Sequence, residues 1–468
     1  MINTQAQIKS SGVQFGTSGA RGLVVDFTPN VCASFAISFA KIMQSNSSFS
    51  TMAMAIDNRP SSYAMAQACA AGLAQLNIQT VFYGVLPTPA LAYKAMQDGV
   101  PAIMITGSHI PFDRNGLKFY RPDGEITKQD ELSILAEQVE FTQLDNNLPE
   151  LSIDNAAKTA YIERYTSLFP ANALSGKKIG IYEHSSAGRD IYRTLFEQLG
   201  AEVTSLERSN EFVAIDTEAV SDADKAKAKA WSVEYGFDAI FSTDGDGDRP
   251  LIADENGDWL RGDILGLLCS QALSIEALAV PVSCNTAIEQ SGLFKHVSRT
   301  KIGSPYVIAE FDNLAAQFKA IAGFEANGGY LLGSDIQVNG KTLTALPTRD
   351  ALLPAFSLLT QSQSLYEQLQ ALPQRFTVSD RLKAFATDKS NALLAKLANT
   401  PQSVADALGF KAVTACDTAD GLRLTMDSGE IVHFRPSGNA PELRCYVEAS
   451  SNNIAQQLLN NALDFIAK

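Results

Sequence analysis

The chain has no CxxC pair, no long Lys/Arg tract and no uninterrupted apolar run of membrane-spanning length. Each absence excludes something. The six cysteines, Cys32, Cys69, Cys269, Cys284, Cys416 and Cys445, read as reduced, mostly buried thiols of a cytoplasmic protein. Lys and Arg number 37 against 51 Asp and Glu, a net charge of −14, so nucleic acid is excluded as a partner: backbone binding needs a basic face. The most apolar stretch, Ile264 to Cys284, contains Ser270, Gln271, Ser274, Glu276 and Pro281, so no membrane span is expected. Met1 to Gly12 is polar and lacks the apolar region of a secretory signal.

What is present suits a large globular protein. Hydrophobic residues make up 46% and charged residues 19% of 468, enough apolar surface for several cores. At about 150 residues per domain the length suggests about three domains, with two or four within range. An anionic substrate would need its positive charges gathered locally.

Apolar strands alternating with helices predict an α/β fold. Thr28-Pro29 caps a helix to about Met43, and Met52–Ile56, Gln79–Tyr83 and Ala102–Thr106 read as strands. Helices are expected over Ser61–Leu76 and Pro89–Gln97, and from Thr127 to about Phe141. This pattern implies a parallel sheet covered on both faces. After a polar linker at Asp145–Asp154, two similar runs follow, the later one ending in a helix read as Arg349–Leu359. The tail, with five strands between Arg375 and Glu448, reads as a smaller α+β domain. The expected organisation is three related α/β domains in series, 1–150, 151–256 and 257–365, plus a C-terminal α+β domain, 366–468.

Ligands of α/β sheets bind beyond the carboxyl ends of strands, so the loops there carry the functional reading. The first, Thr106 to Lys118, sets Ser108 and His109 beside Arg114 and Lys118. A hydroxyl flanked by cations suits phosphoryl transfer; a capping serine in a turn is the plainer alternative. A Ser-His hydrolase lacks the GxSxG elbow here. The second, Thr243 to Pro250, carries Asp244, Asp246 and Asp248 at alternate positions. Three such carboxylates need a cation, and their hard oxygens favour Mg²⁺ or Ca²⁺ over Zn²⁺. An EF-hand register fits these three and Glu255, but Arg249 stands where the turn glycine belongs, and strands flank the loop. The third, Gly323 to Gly329, offers Glu325 and Asn327 to sugar hydroxyls or forms a polar hairpin turn. The fourth, Arg435 to Pro441, with Arg444 beyond it, makes an anion nest or a surface turn. Arg21 lies in a glycine-rich loop, Lys301 adds another positive charge, and Asp57 and Arg59 are expected to hold loops together.

Together these segments resemble the α-D-phosphohexomutase family, and within it its phosphomannomutases and phosphoglucomutases. TSGARG, DNRPSS, TGSHIP, DGDGDR, the Glu325 loop and RPSGN occur in the family's order from Gly16 to Arg444. The resemblance implies four domains around a central cleft, and a cytoplasmic enzyme that interconverts hexose 6-phosphate and hexose 1-phosphate, mannose by preference. It implies Ser108 as the phosphoserine, and Mg²⁺ held by Asp244, Asp246, Asp248 and a phosphoserine oxygen. Arg21 and Lys118 would flank the reacting oxygens, with Lys118 the proton-transfer partner and His109 a positioning group. Arg249, Lys301, Glu325, Asn327, Arg435, Ser437, Gly438, Asn439 and Arg444 would bind substrate. A hexose 1,6-bisphosphate would be both intermediate and activator, and the protein would act as monomer or dimer.

Two departures stand out. Ile110 replaces the usual Asn of the SHNP loop, and Asn327-Gly328-Gly329 replaces the usual Ser and Gly-His of the sugar loop. These positions bear on the choice among mannose, glucose and glucosamine. The competing reading is a non-catalytic sugar-phosphate or Ca²⁺-binding protein on the same scaffold.

Overall fold

The structure is a computed structural model; it describes residues 1–16, 19–145, 147–437 and 441–467. Three α/β units follow one another, and their sheets repeat one strand order. In the first, Gln79–Val85, Thr51–Ile56 and Ala102–Ile105 run parallel in that order, and Arg114–Arg121 returns antiparallel to Ala102–Ile105. In the second the same places belong to Glu202–Leu206, Lys178–Tyr182, Ala239–Thr243 and antiparallel Pro250–Ala253. In the third they belong to His296–Thr300, Ala277–Pro281, Ile321–Phe324 and antiparallel Tyr330–Leu332.

This repeat adds an antiparallel strand to the parallel sheet that the pattern implies. Parallel neighbours need a long crossover, whereas the Ser108, Asp244 and Glu325 loops are short and turn the chain straight back. The three loops therefore sit at equivalent topological positions, each between the third parallel strand and its antiparallel partner. The strands leading into them, Ala102–Ile105, Ala239–Thr243 and Ile321–Phe324, are buried throughout, as expected for strands covered on both faces.

Local signals account for most helix boundaries. Thr28 accepts from Val31 N at 3.4 Å and starts the helix Pro29–Asn46. Thr127 and Asp130 form a capping box for Lys128–Ala136. That helix stops short of the expected Phe141, because Glu140–Phe141 pairs with Ile2–Asn3 and Thr4 N takes the Val139 carbonyl. A second correction matters more: Arg349 does not open a helix. It lies in the strand Leu346–Asp350, which pairs with Tyr330–Leu332, and the helix begins at Leu352.

The C-terminal unit is an antiparallel sheet, Phe376–Leu382, Leu443–Ala449, Ile431–Pro436, Leu422–Met426 and Val413–Asp417 in spatial order, backed by helices that include Thr387–Asn399 and Asn452–Ala467. The α/β units share one apolar cluster, which joins Ala55 and Leu91 to Tyr165, Phe196, Phe324 and Phe356. The C-terminal unit has its own, around Leu424, Val432, Val447 and Leu459. All six cysteines are free thiols, and only Cys416 is exposed. No helix among the described residues is long and apolar enough to cross a membrane.

Candidate active site

Ser108 lies in the loop after the buried strand Ala102–Ile105, in an unusual conformation. Its φ is 53°, in the left-handed region that costs an L-residue roughly 1–2 kcal/mol. The surroundings impose that shape. Thr106 Oγ1 accepts from Ser108 N at 2.7 Å, and Arg59 Nη2 donates to the Ser108 carbonyl at 3.0 Å. Arg59 also donates to the carbonyls of Ile110, Pro111 and Arg114, while Asp57 holds the guanidinium at 3.2 Å. One buried arginine thus organises the whole serine loop. Gly107 is required there, because a Cβ would meet Arg59 Cζ at 2.4 Å. At Ile110, which stands in place of the usual asparagine, Arg59 holds the backbone through the carbonyl.

Ser108 Oγ donates to Asp244 Oδ2 at 2.7 Å, which joins the serine loop to the acidic loop of the second unit. Asp244, Asp246 and Asp248 are buried, with one carboxylate oxygen of each lying within 4.8 Å of the others. Burial and the two neighbouring carboxylates push Asp244 well above the usual carboxylate range. Lys118 Nζ donates to Asp246 Oδ2 and Asp248 Oδ2, at 2.6 Å each. Although burial opposes both charges, these carboxylates raise Lys118, and Lys118 with Thr88 holds Asp246 well below its ordinary value. Asp246 Oδ1 and Asp248 Oδ1 are buried without a hydrogen-bond partner. Orphaned buried carboxylate oxygens are costly, and an all-oxygen set suits a hard divalent cation, so these residues fit a metal.

The Nδ1 lone pair of His109 is already engaged. Nδ1 faces Arg249 Nη1 at 3.1 Å and Ser108 Oγ at 3.4 Å. A guanidinium can only donate, so Nδ1 is the acceptor and the ring is neutral. Burial and Arg249 pull its pKa down to about 3. Arg21, on the strand paired with Gly116, is drawn down to about 10 by burial and by Arg249.

The Glu325 loop faces the same corner. Glu325 accepts from Arg349 Nε at 2.6 Å; burial opposes its charge, yet Arg349 and Arg249 lower its pKa. Arg349 Nη1 lies 3.7 Å from Asp248 Oδ2, so this arginine bridges the sugar and acidic loops. Its sequence context, immediately before an apolar helix, does not mark it as a site residue. Its position also accounts for a departure noted above: a Cβ on Gly329 would meet Arg349 Cδ at 2.4 Å. Asn327 turns inward, its Oδ1 accepting from Gly329 N at 3.0 Å and its Nδ2 lying 3.4 Å from Glu325 Oε2.

A second cluster forms on the C-terminal sheet. Arg435 pairs across the ladder with Arg444, which pairs in turn with Arg381. Like charges directly opposite one another are unfavourable without an anion. Asp420 Oδ2 accepts from Arg435 Nε and from Ile302 N, both at 2.9 Å, so it brings the Lys301 loop to the Arg435 loop. Lys301 itself is exposed, with Nζ 5.8 Å from the Tyr306 ring centroid. Ser437 is buried and its N donates to the Glu442 carbonyl at 2.9 Å. Gly438 and Asn439 lie outside the described residues.

Comparison with known proteins bears on this arrangement. Four family models match in series: phosphoglucomutase/phosphomannomutase alpha/beta/alpha domain I over residues 12–144, domain II over 159–257, domain III over 261–376 and the C-terminal domain over 377–464. The chain is 59% identical to a phosphomannomutase of Salmonella muenchen, with 98% of each covered. It is 43% identical to a phosphomannomutase of Sinorhizobium fredii, covering 97% of this chain and 98% of the relative. The fold matches a putative phosphomannomutase from Thermus thermophilus with a TM-score of 0.78 at 21% identity, over 98% of this chain and 100% of that one.

Proposed function

The chain belongs to the phosphoglucomutase/phosphomannomutase family, and from that premise we propose that it interconverts mannose 6-phosphate and mannose 1-phosphate through phosphorylated Ser108. The observation that carries the reading is Ser108 Oγ, buried and 2.7 Å from Asp244 at the edge of a carboxylate triad with two orphaned oxygens. The preference for mannose rests on the names of the two relatives.

In the first half-reaction the P–Oγ bond of phosphoserine breaks as a bond forms from phosphorus to O1 or O6 of the sugar phosphate. The attacking hydroxyl gives up its proton and Ser108 Oγ regains one. Lys118, charged and buried beside the triad, is the candidate for returning that proton. The resulting hexose 1,6-bisphosphate turns over, and its other phosphate passes to Ser108; added bisphosphate would serve as activator by charging the serine. A Mg²⁺ ion held by Asp244, Asp246 and Asp248 would neutralise charge on the transferring phosphoryl group. Arg21, Arg249 and Arg349, grouped beside the triad, would set fixed positive charge around that group, and neutral His109 holds Arg249. Glu325 and Asn327 would meet the sugar hydroxyls. Arg435, Ser437, Gly438, Asn439 and Arg444, with Lys301, would clamp the non-reacting phosphate, so one clamp serves both orientations of the sugar.

We read the four domains as 1–150, 151–256, 257–365 and 366–468, and the protein as a cytoplasmic monomer or dimer. The test is turnover on mannose, glucose and glucosamine 1-phosphates with Mg²⁺ and a hexose 1,6-bisphosphate. Preference for mannose is expected. Preference for another sugar would overturn the substrate assignment, and silence on all three would overturn the mutase reading.

A further inference from the structure

Two Thr-Pro dipeptides open helices in the first unit, and their threonines do different things. Thr28 is an N-cap: its side chain accepts from Val31 N at 3.4 Å. Thr88 lies one position further on, at the first residue of the helix Thr88–Asp98, and Pro87 stands at the cap with no side-chain hydrogen bond to the helix. A hydroxyl at the start of a helix ordinarily satisfies that helix's own free N–H groups. The Thr88 hydroxyl is given instead to another unit, donating to Asp246 Oδ2 at 2.7 Å.

Further contacts fix the same point. Thr88 N donates to the Asp246 carbonyl at 2.9 Å, so both the backbone and the carboxylate of Asp246 are held by one residue. Thr88 is fully buried. Gly247 packs on Pro87, where a Cβ would stand 3.0 Å from Pro87 Cβ. The prolines on either side fix their own backbone φ and limit how far Thr88 can adjust.

The consequence concerns which oxygen of Asp246 stays available. Oδ2 carries both the Thr88 hydroxyl and the Lys118 ammonium, at 2.7 and 2.6 Å. Oδ1 is buried and has no hydrogen-bond partner. The two donors therefore set the rotation of the carboxylate and leave Oδ1 for a cation. Lys118 is long and flexible and also bonds Asp248, so it cannot fix that rotation alone. Asp244 and Asp248 are oriented differently: Asp244 by Ser108 and by the backbone of its own loop, Asp248 by Lys118 without a hydroxyl partner.

We propose that Thr88 is a positioning residue for the divalent-cation site, through which the first unit orients the Asp246 carboxylate of the second for metal binding. Partners that orient metal ligands are worth about 10–100-fold in affinity when removed. The inference rests on the metal reading of the triad given above.

The test is Mn²⁺ binding, followed by electron paramagnetic resonance on the full-length unphosphorylated protein, for wild type, Thr88→Val and Thr88→Ser. Thr88→Val should weaken binding by about 10-fold or more, and Thr88→Ser should restore it to within about 3-fold. In turnover assays the Mg²⁺ concentration for half-maximal rate should rise in Thr88→Val, while kcat at saturating Mg²⁺ stays within about 3-fold of wild type. Should Thr88→Val not fold, as judged by melting in EDTA, Thr88→Ala removes the hydroxyl without adding a branch and takes its place. Wild-type Mn²⁺ affinity in the hydroxyl-free variant would overturn the inference, as would a Ser variant as weak as Val. If wild type itself showed no saturable Mn²⁺ binding, the metal reading of the triad would fall, and this inference with it.

Discussion

The serine–carboxylate corner of the molecule and the corner at the Arg435 loop are built on opposite plans. In the first, Ser108, Asp244 and Asp246 are fully buried, and side chains from three units bear on the triad: Thr88 and Lys118, Arg249, and Arg349. In the second, Arg435 is half-buried and Lys301 exposed, and Asp420 joins the Arg435 loop to the third unit. The first corner belongs to units that share one apolar core, the second to a unit with a core of its own. The contrast matches the two tasks. Phosphoryl transfer needs charges fixed before the reaction, because reorganising them during it would add to the barrier. In the proposed reaction, a clamp that accepts each end of a sugar bisphosphate in turn would need room to open.

The sharpest way to break the comparison is at the serine. Ser108→Ala should lose roughly 10³-fold or more in turnover, because the proposed covalent carrier is gone. Steady-state assays with Mg²⁺ and bisphosphate check this. EDTA should likewise stop turnover, and added Mg²⁺ should restore it. At the other corner the loss should be smaller and of a different kind. Arg435→Ala removes charge-assisted hydrogen bonds to a phosphate, so KM should rise about 10–100-fold with less change in kcat. Should kcat fall and KM hold, the clamp would be part of the chemistry and the contrast would fail.

The sugar loop lies between these extremes. Gly329→Ser places a side chain where Arg349 now runs, and Arg349 must shift from Glu325. The mannose-to-glucose ratio of kcat/KM should move by about 10-fold, the scale of one altered contact to a substrate hydroxyl. An unchanged ratio would separate Arg349 from sugar choice.

The smallest effect is on stability. His184 and His433 each donate Nε2–H to a backbone carbonyl, that of Thr243 at 2.9 Å and that of Asp420 at 2.6 Å. Burial pulls both down to about 4 from 6.5. The unfolded chain therefore takes up these protons first as pH falls. Their contribution is complete above about pH 6.5 and is lost toward pH 4, by up to about 3 kcal/mol for each histidine. Urea melts across that range should show the slope, and His433→Gln should flatten it in part.

Much of this was legible because the chemistry sits in loops marked by Gly, Asp and Arg after apolar strands. The joint order of those loops pointed to four units around one cleft. What sequence reading missed depended on tertiary pairing. Arg349 precedes an apolar helix, and only its pairing beside Tyr330–Leu332 makes it a strand residue facing Glu325. Thr88 looks like any Thr-Pro cap, and nothing local reveals that its hydroxyl serves Asp246. His296–Thr300 carries no apolar strand signal because it is a polar edge of its sheet. Arg59 was read as a loop holder, and the structure adds that a single guanidinium gathers the carbonyls of Ser108, Ile110, Pro111 and Arg114.

The central claim is that Ser108 carries the phosphoryl group. The direct measurement is intact mass and peptide mapping after mixing the protein with a hexose 1,6-bisphosphate and Mg²⁺, then with excess hexose phosphate. The account predicts one phosphoryl group, on the peptide containing Ser108, that leaves when the sugar phosphate is added. A phosphoryl group on another residue, or turnover with Ser108 never modified, would contradict it.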